Sequence, residues 1–279
     1  MTQCFFVSDL HGKTNRFDTL FQKIAKRKPE IVFIGGDITP AFSVGFDNFV
    51  EEYFFPELLK LKTSMKDCYP EIFLILGNDD PRSWEKEFMN KKYEHLFKYC
   101  HFKTFNYKGY QITGYSFIPP TPFRLKDWER FDVSRYVDPG CTAPYEGSLS
   151  VSPGEDLEYT TIEQHLKILT ENLKMEKSVF LFHTPPYQTK LDRAALDGQM
   201  IDHVPLDLNV GSIAVKRFIE DKQPHITLHG HIHESSTITG YWKEEIGKTH
   251  CFTAAYENKQ LALVSFILEN PKENKREIL

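Results

Sequence analysis

The decisive stretch is IFLILGNDDP, residues 72–81. An apolar run ends in a glycine, an amide and two adjacent carboxylates, Gly77-Asn78-Asp79-Asp80, and then a proline. A continuous run of this length suits a strand buried on both faces, and the polar quartet falls where that strand must stop. Three readings compete for the doubled carboxylate: turn chemistry, a cation site, or one corner of a catalytic centre with a piece exchanged.

The same arrangement recurs on either side. CFFVSDLHG (4–12) runs into Asp9 and His11, IVFIGGD (31–37) into Asp37, VFLFHTPP (179–186) into His183, and HITLHGHIH (225–233) into a histidine cluster. Between these runs, the patterning predicts helices over 14–27, 46–62, 83–99, 160–174 and 211–221, with Asn15 and Thr160 as N-caps. The segments STITGYW, KTHCFTAAY and QLALVSFIL read as adjacent antiparallel strands, and the charged ENPKENKREIL end reads as a fraying tail. The expectation is a mixed α/β sandwich with its polar residues gathered at strand ends, the usual ligand position in open α/β sheets. Two passages, about 116–156 and about 186–209, read as insertions of the lid or binding-loop kind.

Bulk properties narrow the function. The 279 residues carry 34 basic and 39 acidic side chains, a formal net charge of -5, which gives no footprint for binding a nucleic-acid polymer. An anionic substrate must therefore be attracted locally. The five cysteines (Cys4, Cys68, Cys100, Cys141, Cys251) are scattered and odd in number, which argues against a disulfide framework and suits a reducing cytosol. No apolar run approaches the ~18 residues of a spanning helix, and no signal-like segment opens the chain. A cytoplasmic protein without membrane association is expected.

Each strand-end group alone has a bland explanation as a turn, cap or structural histidine. Jointly, Asp9-x-His11, Gly36-Asp37, Gly77-Asn78, His183 and Gly230-His231-x-His233 occur in order, each after a strand-like run. Imidazoles mixed with oxygen donors suit Mn²⁺, Fe or Zn²⁺ better than Ca²⁺ or Mg²⁺. The donors outnumber what one such ion needs, and a carboxylate can bridge two ions ~3.5–4 Å apart.

This order resembles the calcineurin-like metallophosphoesterase superfamily, with its D-x-H, G-D, G-N-H-[DE], H and G-H-x-H pattern, from Asp9 to His233. The proline-rich insertion resembles passages in phosphoesterases related to the cyclic-AMP phosphodiesterase branch. The resemblance implies a single domain over 1–279, folded as a four-layer α-β-β-α sandwich with mixed sheets and a dinuclear metal site at the strand ends. It implies Asp9, His11 and His233 on a first metal, Asn78, His183 and His231 on a second, and Asp37 bridging them. Two divalent ions are expected, Mn²⁺ first, with Fe, Zn²⁺ and Ni²⁺ as alternatives. Their shared hydroxide would attack phosphorus in line.

One position departs from the pattern. Where the family has G-N-H-[DE], this chain has Gly77-Asn78-Asp79-Asp80, so Asp79 replaces the histidine that assists the leaving oxygen. General acid catalysis is worth typically ~10²–10⁴-fold when the leaving group is poor. Asn78, Asp79 and Asp80 therefore form the catalytic corner. Two substitutes for the imidazole are conceivable: a proton shared between Asp79 and Asp80, or a ring supplied by His203 or His229. Arg124 and His203 are the candidate substrate contacts, with Phe123, Trp128 and Phe131 available to stack a base. A packed surface loop is the competing reading of that segment. Relatives with a non-histidine residue here are often phosphodiesterases, so hydrolysis of a small phosphodiester or nucleotide is expected. Phosphomonoesterase, a double-strand-break-repair type nuclease and a non-catalytic scaffold are the alternatives.

Overall fold

The computed structural model describes residues 1–40 and 48–279. The described residues form two six-stranded sheets, and KTHCFTAAY and QLALVSFIL, expected as adjacent antiparallel strands, fall in different ones. In the first sheet, β1 (Gln3–Val7), β2 (Ile31–Gly35), β3 (Glu71–Ile75) and β4 (Lys98–Tyr99) run parallel. An antiparallel pair, β13 (Ala262–Ile267) and β14 (Asn270–Ile278), extends it beyond β1. The second sheet has the order β11-β12-β10-β7-β6-β5. Its members are β5 (Thr104–Tyr107), β6 (Tyr110–Tyr115), β7 (Ser178–Phe182), β10 (Ile226–His229), β11 (Lys243–Ile246) and β12 (Thr249–Thr253). A separate small hairpin, β8 (Met200–Ile201) and β9 (Val204–Pro205), belongs to the second insertion.

Period-two alternation assigns each strand residue to one of two cores. Cys4, Phe6, Phe33, Phe73 and Ile75 of the first sheet meet Ile112, Val179, Leu181, Ile226 and Leu228 of the second. The intervening Phe5, Val7, Val32, Ile34 and Leu74 face the opposite way, towards α1 (Thr14–Arg27) and α2 (Phe55–Met65). On the other side, Phe180 and Phe182 pack on α4 (Ile162–Thr170) and α5 (Ile213–Lys222). The layers are α-β-β-α, as the resemblance implies.

Several local expectations are corrected. The expected helix over 46–62 begins outside the described residues. Its described part is a π-turn, Val50–Phe54, continued by α2, with Pro56 in the first turn of α2 where no N–H is needed. The segment 83–99 holds only the short α3 (Glu85–Phe88) among 3₁₀ turns before β4. The cap of α4 is Thr161, not Thr160, in a reciprocal capping box with Gln164. The cap residue of α1 is Lys13, not Asn15, and it makes no side-chain cap bond. STITGYW is not a strand: Ser235–Thr239 forms α6, ended by Gly240 at φ +75°. The charged tail does not fray but is the edge strand β14, and lysines on a sheet edge discourage pairing with a further chain. Among the described residues, no helix is long and apolar enough to cross a membrane.

Candidate metal centre

The ligand candidates leave the ends of five strands, three in the first sheet and two in the second, and meet at one rim of the sandwich. Asp9 and His11 follow β1, Asp37 follows β2, Asn78 and Asp79 follow β3, His183 follows β7, and His231 and His233 follow β10. Four of them, Asp9, His11, Asp37 and His231, have φ between +49° and +72°. Such left-handed conformations are sparsely populated for non-glycine residues and gather at functional sites, where the surrounding structure holds them. Here the holding is visible as backbone bonds from Asp9 to Gly36 O (3.0 Å) and from His11 to Asp37 O (2.7 Å).

Asp9, His11, Asp37 and His233 each offer a donor atom within 4.8 Å of the others. Nε2 of His11 lies 3.1 Å from Nε2 of His233, and Nε2 of His233 lies 3.2 Å from Oδ1 of Asp9. Two nitrogens ~2.1 Å from one ion and at right angles would stand ~3.0 Å apart, so this spacing fits adjacent ligands of a single ion. The second group surrounds His183. Its Nε2 lies 2.9 Å from Asn78 Oδ1 and 3.3 Å from Asp37 Oδ2, while Nδ1 is 2.8 Å from the Gly35 carbonyl. The His231 ring sits 5.3 Å from the His183 ring, centre to centre. Asp37 thus touches both groups, reaching His11 Nε2 at 3.8 Å on the other side.

Electrostatics favour a cation. Oδ2 of Asp9 is buried and has no hydrogen-bond partner among the described residues, an expensive state for a carboxylate oxygen unless a positive centre faces it. Burial disfavours the charged Asp9, yet the bond from His233 and the neighbouring histidines hold its carboxyl well below the usual range. Burial pushes His11 down to about 3 and His231 well below the ordinary histidine value, leaving both imidazoles neutral and able to donate a lone pair. Burial raises Asp37 to about 7; His183, although burial opposes it, is raised to about 10 by the Asp37 carboxylate. That pair holds a proton where a bound ion would put its charge. Glycines clear the space: a Cβ on Gly36 would stand 2.7 Å from His183 Nδ1, and one on Gly230 would stand 2.9 Å from Asp9 Oδ2. The donor set fits divalent transition ions.

The two adjacent carboxylates have different surroundings. Asp80 is fully buried and accepts bonds from the N–H groups of Gly77 (2.8 Å), Ile38 (3.1 Å) and Thr39 (2.7 Å), and from the Thr39 hydroxyl (2.7 Å). It ties the Asp37 loop to the Asn78 loop, and its oxygens are committed to that task rather than to a proton shared with Asp79. Asp79 is partly exposed, with Oδ2 3.4 Å from His11 Nδ1. Its N–H donates to Asp37 Oδ1 at 2.8 Å, and the Asn78 amide donates to its carboxylate at 3.0 Å.

His229 is turned into the fold, bonded to Thr184 O (2.9 Å) and Thr227 Oγ1 (2.8 Å), so it supplies no imidazole to the site. The strand ends at His229, and His231 follows in a left-handed conformation (φ +72°), which breaks the alternation that would have kept the two rings on one face. His203 occupies the exposed turn of the β8–β9 hairpin at φ +68°. Arg124 is exposed and donates to Ser148 Oγ at 3.2 Å. The expected base-stacking surface is corrected: Trp128 and Phe131 are buried, leaving only Phe123 of the three exposed. Trp128 instead donates its indole N–H to the Asp80 carbonyl (2.7 Å) and lies under the Arg82 guanidinium. It buttresses the altered motif from the first insertion. Arg16 performs a similar task, donating from α1 to the Asp9 carbonyl. Nothing in the sequence signals either role, because both depend on contacts between separate segments of the chain.

Residues 4–235 match the calcineurin-like phosphoesterase family, and the chain belongs to it. Among solved structures, a Thermus thermophilus protein is similar at 14% identity, with 99% of this chain and 98% of that one covered and a TM-score of 0.58. A dimetal phosphatase from Danio rerio is similar at 12% identity, with 94% and 91% covered and a TM-score of 0.53. At these identities the likeness is one of fold. No curated protein is significantly similar to the chain in sequence.

Proposed function

We propose that the protein is a metal-dependent phosphodiesterase acting on a small phosphodiester or nucleotide, with 1–279 as one catalytic unit. Membership of the family supports phosphoester hydrolysis. The observation that carries the diester preference is the Asp79 carboxylate, 3.4 Å from His11 at the edge of the ligand cluster. An imidazolium at this place would donate a proton to the leaving oxygen; a carboxylate repels phosphate charge. A monoester dianion brings one more negative charge than a diester monoanion, and one such charge pair at 4 Å is worth about 1–4 kcal/mol at effective dielectric constants of 80 to 20. Asp79 therefore selects the less charged ester.

Asp9, His11 and His233 would hold one divalent ion and Asn78, His183 and His231 the other, with Asp37 between them. Bound ions supply Lewis-acid stabilisation of phosphoryl charge and an activated water near neutral pH. The chain's own part is positioning. The Gly35 carbonyl fixes the His183 ring, the His231 N–H holds Asp9 Oδ1 at 3.0 Å, and Asp80 locks two ligand loops together. The mixed nitrogen and oxygen donors fit Mn²⁺, Fe and Zn²⁺ alike, and this reading takes Mn²⁺ as the working ion. Arg124 and His203 stay as substrate contacts in this reading, both exposed on the insertions. The unpaired state of all five cysteines supports a reducing cytosol. Assay of the Asp79→Asn variant with Mn²⁺ tests the reading: monoester turnover should rise relative to diester turnover, and an unchanged ratio would refute the role given to Asp79.

A further inference from the structure

A cavity of about 480 Å³ lies between the two insertions, within the size range of small-molecule sites. Pro119, Pro120 and Tyr136 line it from the first insertion; Tyr187, Ile201 and Leu206 line it from the second. Both walls begin at strand ends beside the metal centre. The His183 backbone N–H donates to the Tyr115 carbonyl at 3.3 Å, Pro119 follows Tyr115 by four residues, and Tyr187 follows His183 by four. Four residues span at most ~14 Å.

The charge of the lining has one sign. Asp132, Asp138 and Asp207 contribute to it, and among the described residues its lining includes no lysine or arginine. Asp132 is spent on the N-terminus of α5, accepting from Ser212 Oγ (2.6 Å), Ile213 N (2.6 Å) and Ala214 N (3.2 Å). Asp207 accepts from the Tyr187 hydroxyl at 2.5 Å, and the contact pushes that phenol up to about 12. Burial and then the Asp207 charge raise the Asp138 carboxyl above its ordinary range, so the two carboxylates repel. Phosphate and carboxylate groups are unwelcome in such a space. An incoming positive charge relieves the repulsion, and Tyr136 and Tyr187 line the same space.

We propose that this cavity is a subsite for an organic cation, an aryl- or alkylammonium group carried by the non-phosphate half of the substrate. Binding itself stands on the cavity alone; the assignment to a substrate rests on the phosphoester-hydrolase reading.

The full-length protein, titrated with benzyltrimethylammonium, benzyl alcohol and benzoate and followed by ligand-observed NMR, tests binding. The cation should bind about tenfold more tightly than the alcohol, and benzoate should not bind. Asp138→Asn and Tyr136→Ala should each weaken the cation severalfold at unchanged melting temperature. Benzoate binding as well as the cation, or a cation affinity insensitive to both variants, overturns the proposal. With Mn²⁺, p-nitrophenyl phosphocholine should then show a lower KM than ethyl p-nitrophenyl phosphate, and Asp138→Asn should abolish that difference while leaving the ethyl ester unchanged. Equal KM values overturn the substrate assignment. A protein that binds the cation but hydrolyses neither these esters nor bis-p-nitrophenyl phosphate refutes the hydrolase reading and leaves the cavity assignment standing.

Discussion

The carboxylate of Asp79 stands 3.4 Å from Nδ1 of His11, with its oxygen turned towards the ligand cluster rather than into the fold. Its neighbour Asp80 points the opposite way, into backbone donors of two loops. Adjacent in sequence, the two acids serve separate ends.

That separation predicts opposite responses to amide substitution. Asp79→Asn should leave stability within about 0.5 kcal/mol, as for other surface changes. Asp80→Asn should cost about 2–3 kcal/mol, because an amide nitrogen would face N–H donors that now bond a carboxylate. Urea titration of both variants checks this; equal midpoints would contradict it.

Restoring the family histidine should restore the missing proton donor. Asp79→His is expected to raise monoester turnover by about tenfold or more, within the range that general acid catalysis supplies. The measurement is kcat for p-nitrophenyl phosphate at saturating Mn²⁺. A variant with intact metal content and no gain would show that this position does not limit monoester cleavage.

Metal removal should destabilise the protein through mass action. Each ion held at a hundred times its dissociation constant adds about 2.7 kcal/mol, so chelation should lower the melting temperature by several degrees. Asp37→Ala should abolish this chelator-sensitive part together with metal uptake and turnover. A variant that still binds two equivalents of Mn²⁺ by elemental analysis would remove Asp37 from the bridging position.

Acid should weaken the first insertion. Burial works against ionised Glu155, but the bond from His165 (3.1 Å) and the charge of Arg130 (2.6 Å) pull its carboxyl down to about 2. A carboxyl whose folded value lies below its unfolded one stabilises the fold above the unfolded value and loses that contribution as pH falls. The loss should run from about pH 4.5 towards pH 2. Glu155→Gln should flatten the melting-temperature profile across that window, and an unchanged slope would show that the ion pair is idle.

Much of the candidate site is legible in the chain because each candidate ligand follows a short apolar strand, and parallel strands bring their ends to one rim. Glycines at 36, 77 and 230 mark the close approaches. The illegible part depends on distant partners. Lys126 and Arg130 lie in a proline-rich insertion with no strand or helix pattern, yet both are buried, because Glu129 lies 2.7 Å from one and Glu155 2.6 Å from the other. Trp128 reads as a stacking surface and is instead a wedge beneath Asp80. The ENPKENKREIL end looks too charged to pair, but its backbone ladder to β13 and the ion pair of Arg27 with Glu277 hold it on the sheet edge. STITGYW carries β-branched residues that favour strands, and the local helical turn ending at Gly240 overrides them.

The most direct test compares two substrates at matched concentrations with the Mn²⁺-loaded protein. Hydrolysis of bis-p-nitrophenyl phosphate should exceed that of p-nitrophenyl phosphate, and both should vanish on chelation. A clear preference for the monoester, or turnover that survives metal removal, would contradict the account.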